Sequence, residues 1–246
     1  MKNEVVAISV LLPVYNAEKY IKETVESILN QTFTNFEFII INDGSTDRSL
    51  EILQYYAEQD SRIKLISRNN KGLVDTINEG LSLAVAPYIA QIDHDDISLP
   101  SRFAIEYDFL QNNPDVVCVG SDYELIDDQS RCIGLIEVTK GSSAIEQSLL
   151  AGVCPIANPS TLVLRSAINA VGGYKQGGFP AQDYVLWIDL LDVGKIENIN
   201  ATLLQYRIHA ESASRKRNAE QVKIIKETCK QACLRRGIPC VYDDND

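Results

Sequence analysis

The chain has 246 residues, is 45% apolar, and carries a formal net charge of −11 from 23 Lys and Arg against 34 Asp and Glu. That length suits one large α/β domain or two small ones, and the negative balance argues against sequence-independent nucleic-acid binding. No apolar run approaches the roughly 20 residues of a membrane span, and Met1–Val6 lacks the apolar stretch of a secretory signal, so a cytoplasmic protein with six reduced cysteines is expected.

Strand and helix signals alternate through the first half. Ala7–Leu12 is an apolar run typical of a strand buried on both faces, and Pro13 is expected to end it. Glu18–Asn30 places Tyr20, Ile21, Val25, Ile28 and Leu29 at helical spacing. Glu37–Ile41 reads as a second buried strand, followed by Ser45-Thr46-Asp47 as N-caps of a helix through about Tyr56. Ile63–Ile66, Tyr88–Ile92 and Val116–Val119 read as further strands, with helices over Leu73–Val85 and Pro100–Gln111 between them. This order predicts a parallel sheet with helices on both faces. Beyond Gly120 the pattern changes. Tyr123–Ile126 and Cys132–Val138 suggest a hairpin around Asp127–Ser130, and Thr161–Leu164 and Ile196–Tyr206 suggest strands. Ser143–Leu150, Ser166–Val171, Ala181–Leu191 and Asn218–Leu234 read as helices, the last with Val222, Ile225, Cys229, Ala232 and Cys233 on one stripe.

The first strand runs into Pro13-Val14-Tyr15-Asn16. A dinucleotide fold would have G-x-G-x-x-G there, and a P-loop would have G-x-x-x-x-G-K-[ST]; neither is present. The fourth strand runs into Asp93-His94-Asp95-Asp96. Three carboxylates within four residues repel one another unless a cation neutralises them, and hard oxygen donors suit Mg²⁺ or Mn²⁺. Ligands of open α/β sheets bind at the carboxyl ends of strands, which is where this cluster falls.

Taken in order, Tyr15-Asn16, Asn42-Asp43-Gly44-Ser45-Thr46-Asp47, Asn70-Lys71-Gly72, Asn78-x-Gly80 and Asp93-His94-Asp95-Asp96 carry a resemblance. With Asn158-Pro159-Ser160, Gly172-Gly173-Tyr174, Gln182-Asp183-Tyr184 and Tyr206-Arg207-Ile208-His209, the chain over roughly residues 6 to 212 resembles the family 2 glycosyltransferases of GT-A fold. The resemblance implies a metal-dependent, inverting enzyme that moves a sugar from a nucleotide diphosphosugar, UDP being favoured, to a glycan or lipid-linked glycan acceptor. It implies a GT-A domain over 1–212, with a nucleotide-binding half (1–120) and an acceptor-side half (121–212). The basic amphipathic helix and acidic tail of 213–246 follow.

By the same resemblance, Pro13, Tyr15, Asp43, Arg68, Lys71 and Asp93 belong to the nucleotide site, with Asp43 accepting from the uracil N3–H. Asp93 and Asp95 correspond to the D-x-D pair, one or both of which hold Mn²⁺ or Mg²⁺, with Asp93 alternatively on the ribose; His209 completes the metal site, touches the diphosphate, or is a surface residue. His94 is a spacer, and Asp96 caps the next helix or contacts the sugar. Asp183 corresponds to the general base that activates the acceptor hydroxyl. Two positions depart from the pattern: Gln182 stands where many members have Glu, and Val185 where many have Asp.

Around these positions several readings stay open. Gly172–Pro180 is a mobile lid or a plain connection, and Trp187 is core or stacks on a sugar. Arg207 offsets diphosphate charge or lies at the surface. The basic residues of 214–236 either rest on anionic headgroups at the inner face of the membrane or form the solvated side of a packed helix. Two rival functions share the carboxylate pattern: a sugar nucleotidyltransferase, which has no need of Asp183 as an acceptor base, and a non-catalytic subunit of the same fold.

Overall fold

Strand residues alternate between the two faces of a sheet, so a strand that is apolar at every position must be covered on both sides. The first two strands, β1 (Ile8–Val14) and β2 (Phe36–Asp43), are largely apolar and buried at every position, Ser9, Glu37, Asn42 and Asp43 included. Val10, Leu12, Phe38 and Ile40 join one core with helices α1 (Ile21–Leu29) and α2 (Ser49–Gln59). Leu11, Ile39 and Ile41 join the other, against α3 (Leu73–Leu83). The computed structural model describes residues 5–209 and 219–242.

The remaining described strands are β3 (Ile63–Arg68), β4 (Tyr88–Gln91), β5 (Ile97–Ser98), β6 (Val116–Ile126), β7 (Cys132–Ile136), β8 (Leu162–Leu164) and β9 (Lys195–Arg207). Their order across the sheet is β3-β2-β1-β4-β8-β6-β9-β5, with β7 paired to β6. The β3-β2-β1-β4 half is parallel throughout. Short β8 runs antiparallel to both β4 and β6 and joins this half to a mixed second half, in which β6 and β9 are parallel. The sheet therefore continues across residue 120. The other helices are α4 (Arg102–Asn112), α5 (Ser142–Leu150), α6 (Arg165–Val171), α7 (Gln182–Leu190) and α8 (Ala219–Arg236).

Several expectations are corrected. Pro13 lies inside β1, opposite Ile41 of β2. Its missing N–H costs nothing because the pairing of β1 with β4 ends at Leu11–Gln91. Gly120 does not end a strand: Val116–Val119 and Tyr123–Ile126 are one strand, and a Cβ at Gly120 would stand 2.5 Å from Asn198 Oδ1. The glycine marks a close approach, not a break. The two-residue β5 is too short to leave a periodic signal. On α8, Cys229, Ala232 and Cys233 are buried as expected, but Val222 is exposed. The basic residues Arg215, Lys216 and Arg217 and the acidic tail 243–246 lie outside the described residues.

Candidate active site

The parallel strands β1 to β4 deliver the expected residues to one edge of the sheet. Register places Asp43 beside Arg68 at the ends of β2 and β3. The two form an ion pair. Arg68 also donates to Glu79 Oε2 at 2.7 Å and Thr76 Oγ1 at 2.9 Å. The Asp43 carboxylate further accepts the backbone N–H groups of Lys71 (2.8 Å) and Gly72 (3.0 Å), at the start of α3. Three donors leave the carboxylate room for one more hydrogen bond. Arg68 is thus the clamp that aims Asp43, while Lys71 reaches out to solvent.

None of Ser45, Thr46 and Asp47 is the N-cap expected: Arg48 occupies that position before α2 and makes no side-chain cap bond. Asp47 Oδ1 accepts from Ser49 N at 2.9 Å, a capping contact. Ser45 Oγ and the Thr46 N–H, however, bind Asn16, and Asp47 Oδ2 accepts from Glu18 N at 3.0 Å. The segment after β2 braces the loop after β1 that carries Tyr15. Sequence spacing could not show this, because the braced loop lies some 30 residues away.

The acidic turn follows β4. Burial pushes the Asp93 carboxyl up to about 7, and the negative charges of Asp95 and Asp183 add to the shift. Asp183, in the first turn of α7, is also pushed up by burial, and its Oδ1 accepts from Tyr184 N at 2.8 Å. Asp95 Oδ2 lies 2.8 Å from His209 Nε2, so chain segments 114 residues apart meet in one contact. Asp96 does not reach outward: it is buried, and its Oδ1 accepts from Arg207 N at 2.8 Å. Burial first, then Asp95 and Asp93, raise its carboxyl well above the ordinary range. His94 lines the same cleft as Asp95 and His209, where a pure spacer would be turned away.

An open cleft of about 780 Å³ runs along this edge, lined by residues that include Tyr15, Tyr20, His94, Asp95, Asp128 and His209. Pro13 is buried in β1 and does not line it. Trp187 is fully buried and belongs to the core. Arg207 is likewise buried, so it faces neither solvent nor the cleft. The glycine-rich segment is pinned where it begins: Asn78 Nδ2 donates to the Tyr174 carbonyl at 2.8 Å, and Tyr174 N donates to Asn78 Oδ1 at 3.0 Å. Tyr174 in turn donates its hydroxyl to Gln91 Oε1 at 3.0 Å. Sequence reading singled out Asn78 and Tyr174 as separate motif residues but missed that they join polar Gln91 of the otherwise apolar β4 in one relay.

The donor chemistry fits a hard divalent cation: carboxylates at Asp93 and Asp95 with an imidazole at His209, in a site whose mutual repulsion a cation would relieve. Among the described residues, no group of three or more such side chains is already gathered into a metal-holding cluster.

Comparison with known proteins agrees with this geometry. The family model for glycosyl transferase family 2 matches residues 9–170. An O-antigen biosynthesis glycosyltransferase of Escherichia coli, WbnJ, is 30% identical over 242 residues, covering 96% of this chain and 94% of its own. Among solved structures, S. aureus TarS 1–349 in complex with UDP-GlcNAc superposes with a TM-score of 0.75 at 16% identity, covering 97% of this chain and 68% of that one. A mannosyltransferase from Pyrobaculum calidifontis, in complex with GDP-Man and Mn²⁺, gives a TM-score of 0.65 at 14% identity, covering 96% and 76%. The fold is the mixed α/β sheet of GT-A glycosyltransferases.

Proposed function

The chain belongs to glycosyl transferase family 2, and from that premise we propose that it transfers a sugar from a UDP-sugar to a hydroxyl of a growing glycan, with inversion and with Mn²⁺ or Mg²⁺. One observation carries this reading: the turn after β4 faces a cleft with Asp95 against His209, and Asp93 feels the charge of Asp183. Asp93, Asp95 and His209 would hold the cation, which as a Lewis acid stabilises the charge that grows on the leaving diphosphate. Asp43, held by Arg68 and by the start of α3, accepts from the base, and Tyr15 supplies a wall of the cleft. Asp183 takes the proton of the attacking acceptor hydroxyl. Its upward shift suits a base working nearer neutral pH than an ordinary carboxylate.

WbnJ, by its name, acts in O-antigen biosynthesis, which supports a polysaccharide product. The same reading keeps the protein in the cytoplasm and assigns the Lys223, Lys226 and Lys230 side of α8 to an anionic membrane surface beside a lipid-linked acceptor. Among the described residues no helix is long and apolar enough to cross a membrane.

The test is a thermal-shift panel of UDP-, GDP-, dTDP- and CMP-sugars and nucleoside triphosphates, each with Mn²⁺ and with EDTA. A ligand bound only by the native state raises the melting temperature. A shift that needs Mn²⁺ and a UDP-sugar is expected. A shift with triphosphates alone would turn the reading to a nucleotidyltransferase, and a shift with another sugar nucleotide would replace UDP.

A further inference from the structure

A buried guanidinium must be matched by acceptors, and among the described residues Arg207 finds them on three segments distant in sequence. Its Nε donates to the main-chain carbonyl of Asp95 at 2.7 Å. One terminal nitrogen donates to the Asp127 carbonyl at 3.1 Å and the Ser130 hydroxyl at 2.9 Å, in the β6–β7 turn. The other donates to Glu23 Oε2 at 3.0 Å, on α1. Ser130 closes this group by donating to the same Glu23 oxygen at 2.6 Å.

Two further contacts tie the residue to the site. The guanidinium lies 4.4 Å from the centre of the Tyr20 ring, and that ring packs against His209 at 5.1 Å. The main-chain N–H of Arg207 donates to Asp96 Oδ1, while Thr24 Oγ1 donates to the Asp96 carbonyl at 2.8 Å. The acidic turn is therefore gripped by its backbone and by its buried member. The Asp95 carboxylate stays on the cleft wall.

We infer that Arg207 is a positioning residue: anchored by Glu23, it fixes the backbone of Asp95 and the ring of His209 so that the two side chains meet across the cleft as one pair. The inference rests on the proposed function only in taking that pair as part of the metal site. The planar fork is what the role requires, since it serves a carbonyl, a hydroxyl and a carboxylate at fixed angles. Lysine, a point charge, cannot serve all three at once.

The variants are Glu23→Gln, whose side chain is 44% exposed and whose loss should spare the fold, and Arg207→Lys. The chain has only two histidines, so the imidazole ¹H–¹⁵N NMR signals of the metal-free protein report on His209 directly, assigned with His209→Ala. In EDTA, both variants are expected to move or broaden the His209 signals. With Mn²⁺ present, the affinity for UDP is expected to fall about tenfold in Glu23→Gln and more in Arg207→Lys, the usual scale for partners behind a metal ligand. Unmoved His209 signals together with wild-type affinity in both variants would overturn the inference. If the wild type itself binds UDP without regard to Mn²⁺, the functional reading fails, and the NMR comparison still decides whether Arg207 sets the pair.

Discussion

The residues that carry the proposed chemistry are carboxylates, and their protonation is the property easiest to test. With Asp183→Asn, donor binding is expected to persist while the transfer rate falls by about 10²–10⁴, the usual worth of a general base. Steady-state kinetics with separate donor titration checks this, and wild-type turnover would remove Asp183 from the mechanism. Asp93 makes a stability prediction. Its native carboxyl is pushed up to about 7, above its ordinary value of 3.8. A group raised in the folded state contributes stability that is full below its unfolded pKa and is lost as pH rises through the folded one. In EDTA the free energy of unfolding, read by chemical denaturation, should therefore fall from pH 5 to pH 8 by an amount on the order of a few kcal/mol. Glu106, buried beside Arg102, is also pushed up to about 7, and Asp96 and Asp183 are raised as well, so the difference between wild type and Asp93→Asn reads Asp93 together with its repulsion of neighbouring Asp96. An identical pH slope in that variant would contradict the assignment.

At this scale Asp93 and Asp95 stand out in the sequence as a local carboxylate cluster, whereas Asp183 is singled out only by the family resemblance. Arg207 was not legible. An arginine two residues before a histidine at a strand end looks solvent-facing, and nothing local shows that α1 and a hairpin turn close over it.

Among the elements, the glycines show where the backbone leaves no room for a side chain. Gly44 follows Asp43 with φ of 73°, and a Cβ there would stand 2.7 Å from the backbone nitrogen of Asn70. Asn70 in turn donates its side-chain amide to the Asp43 carbonyl at 2.9 Å. Gly44→Ala is expected to cost about 1–2 kcal/mol for the left-handed conformation alone. It should also weaken UDP binding, because the rigid neighbour is part of the Asp43 loop. Chemical denaturation and nucleotide titration check the two effects. Gly120→Ala addresses β6. Its Cβ would press on Asn198, whose amide donates to the carbonyls of Thr139 (2.8 Å) and Pro155 (3.0 Å). A loss of about 1–3 kcal/mol is expected, as for other overpacked sites. No loss would mean that Asn198 has another place to go. Helices and parallel strands were legible because their periods are local. The long β6 was divided in two because a glycine that admits a neighbour looks, in sequence, like one that ends a strand.

For the molecule as a whole, alternating strand and helix signals were enough to place the parallel half and its ligand edge. The mixed half was less legible: whether β8 runs antiparallel, and where β9 meets β6, depends on contacts made after the chain has turned back. The same long return brings Arg207 and His209 to the acidic turn, so the site is completed by the part of the fold hardest to read. The C-terminal helix α8 stands behind this arrangement. Its Cys229 Sγ lies 2.6 Å from the hydroxyl of Tyr184, the residue after Asp183, and Arg235 and Arg236 reach Asp189 and Asp192 at the far end of α7. The helix that carries Asp183 is thus backed by apolar packing and by charge.

The measurement that tests the central claim most directly is calorimetric titration of UDP into the wild type and into Asp95→Ala, each with Mn²⁺ and with EDTA. Tight binding by the wild type in Mn²⁺ alone is expected, with Asp95→Ala in Mn²⁺ behaving like the wild type in EDTA. Equal affinity in all four titrations would contradict the claim that the acidic turn and His209 hold the donor through a divalent cation.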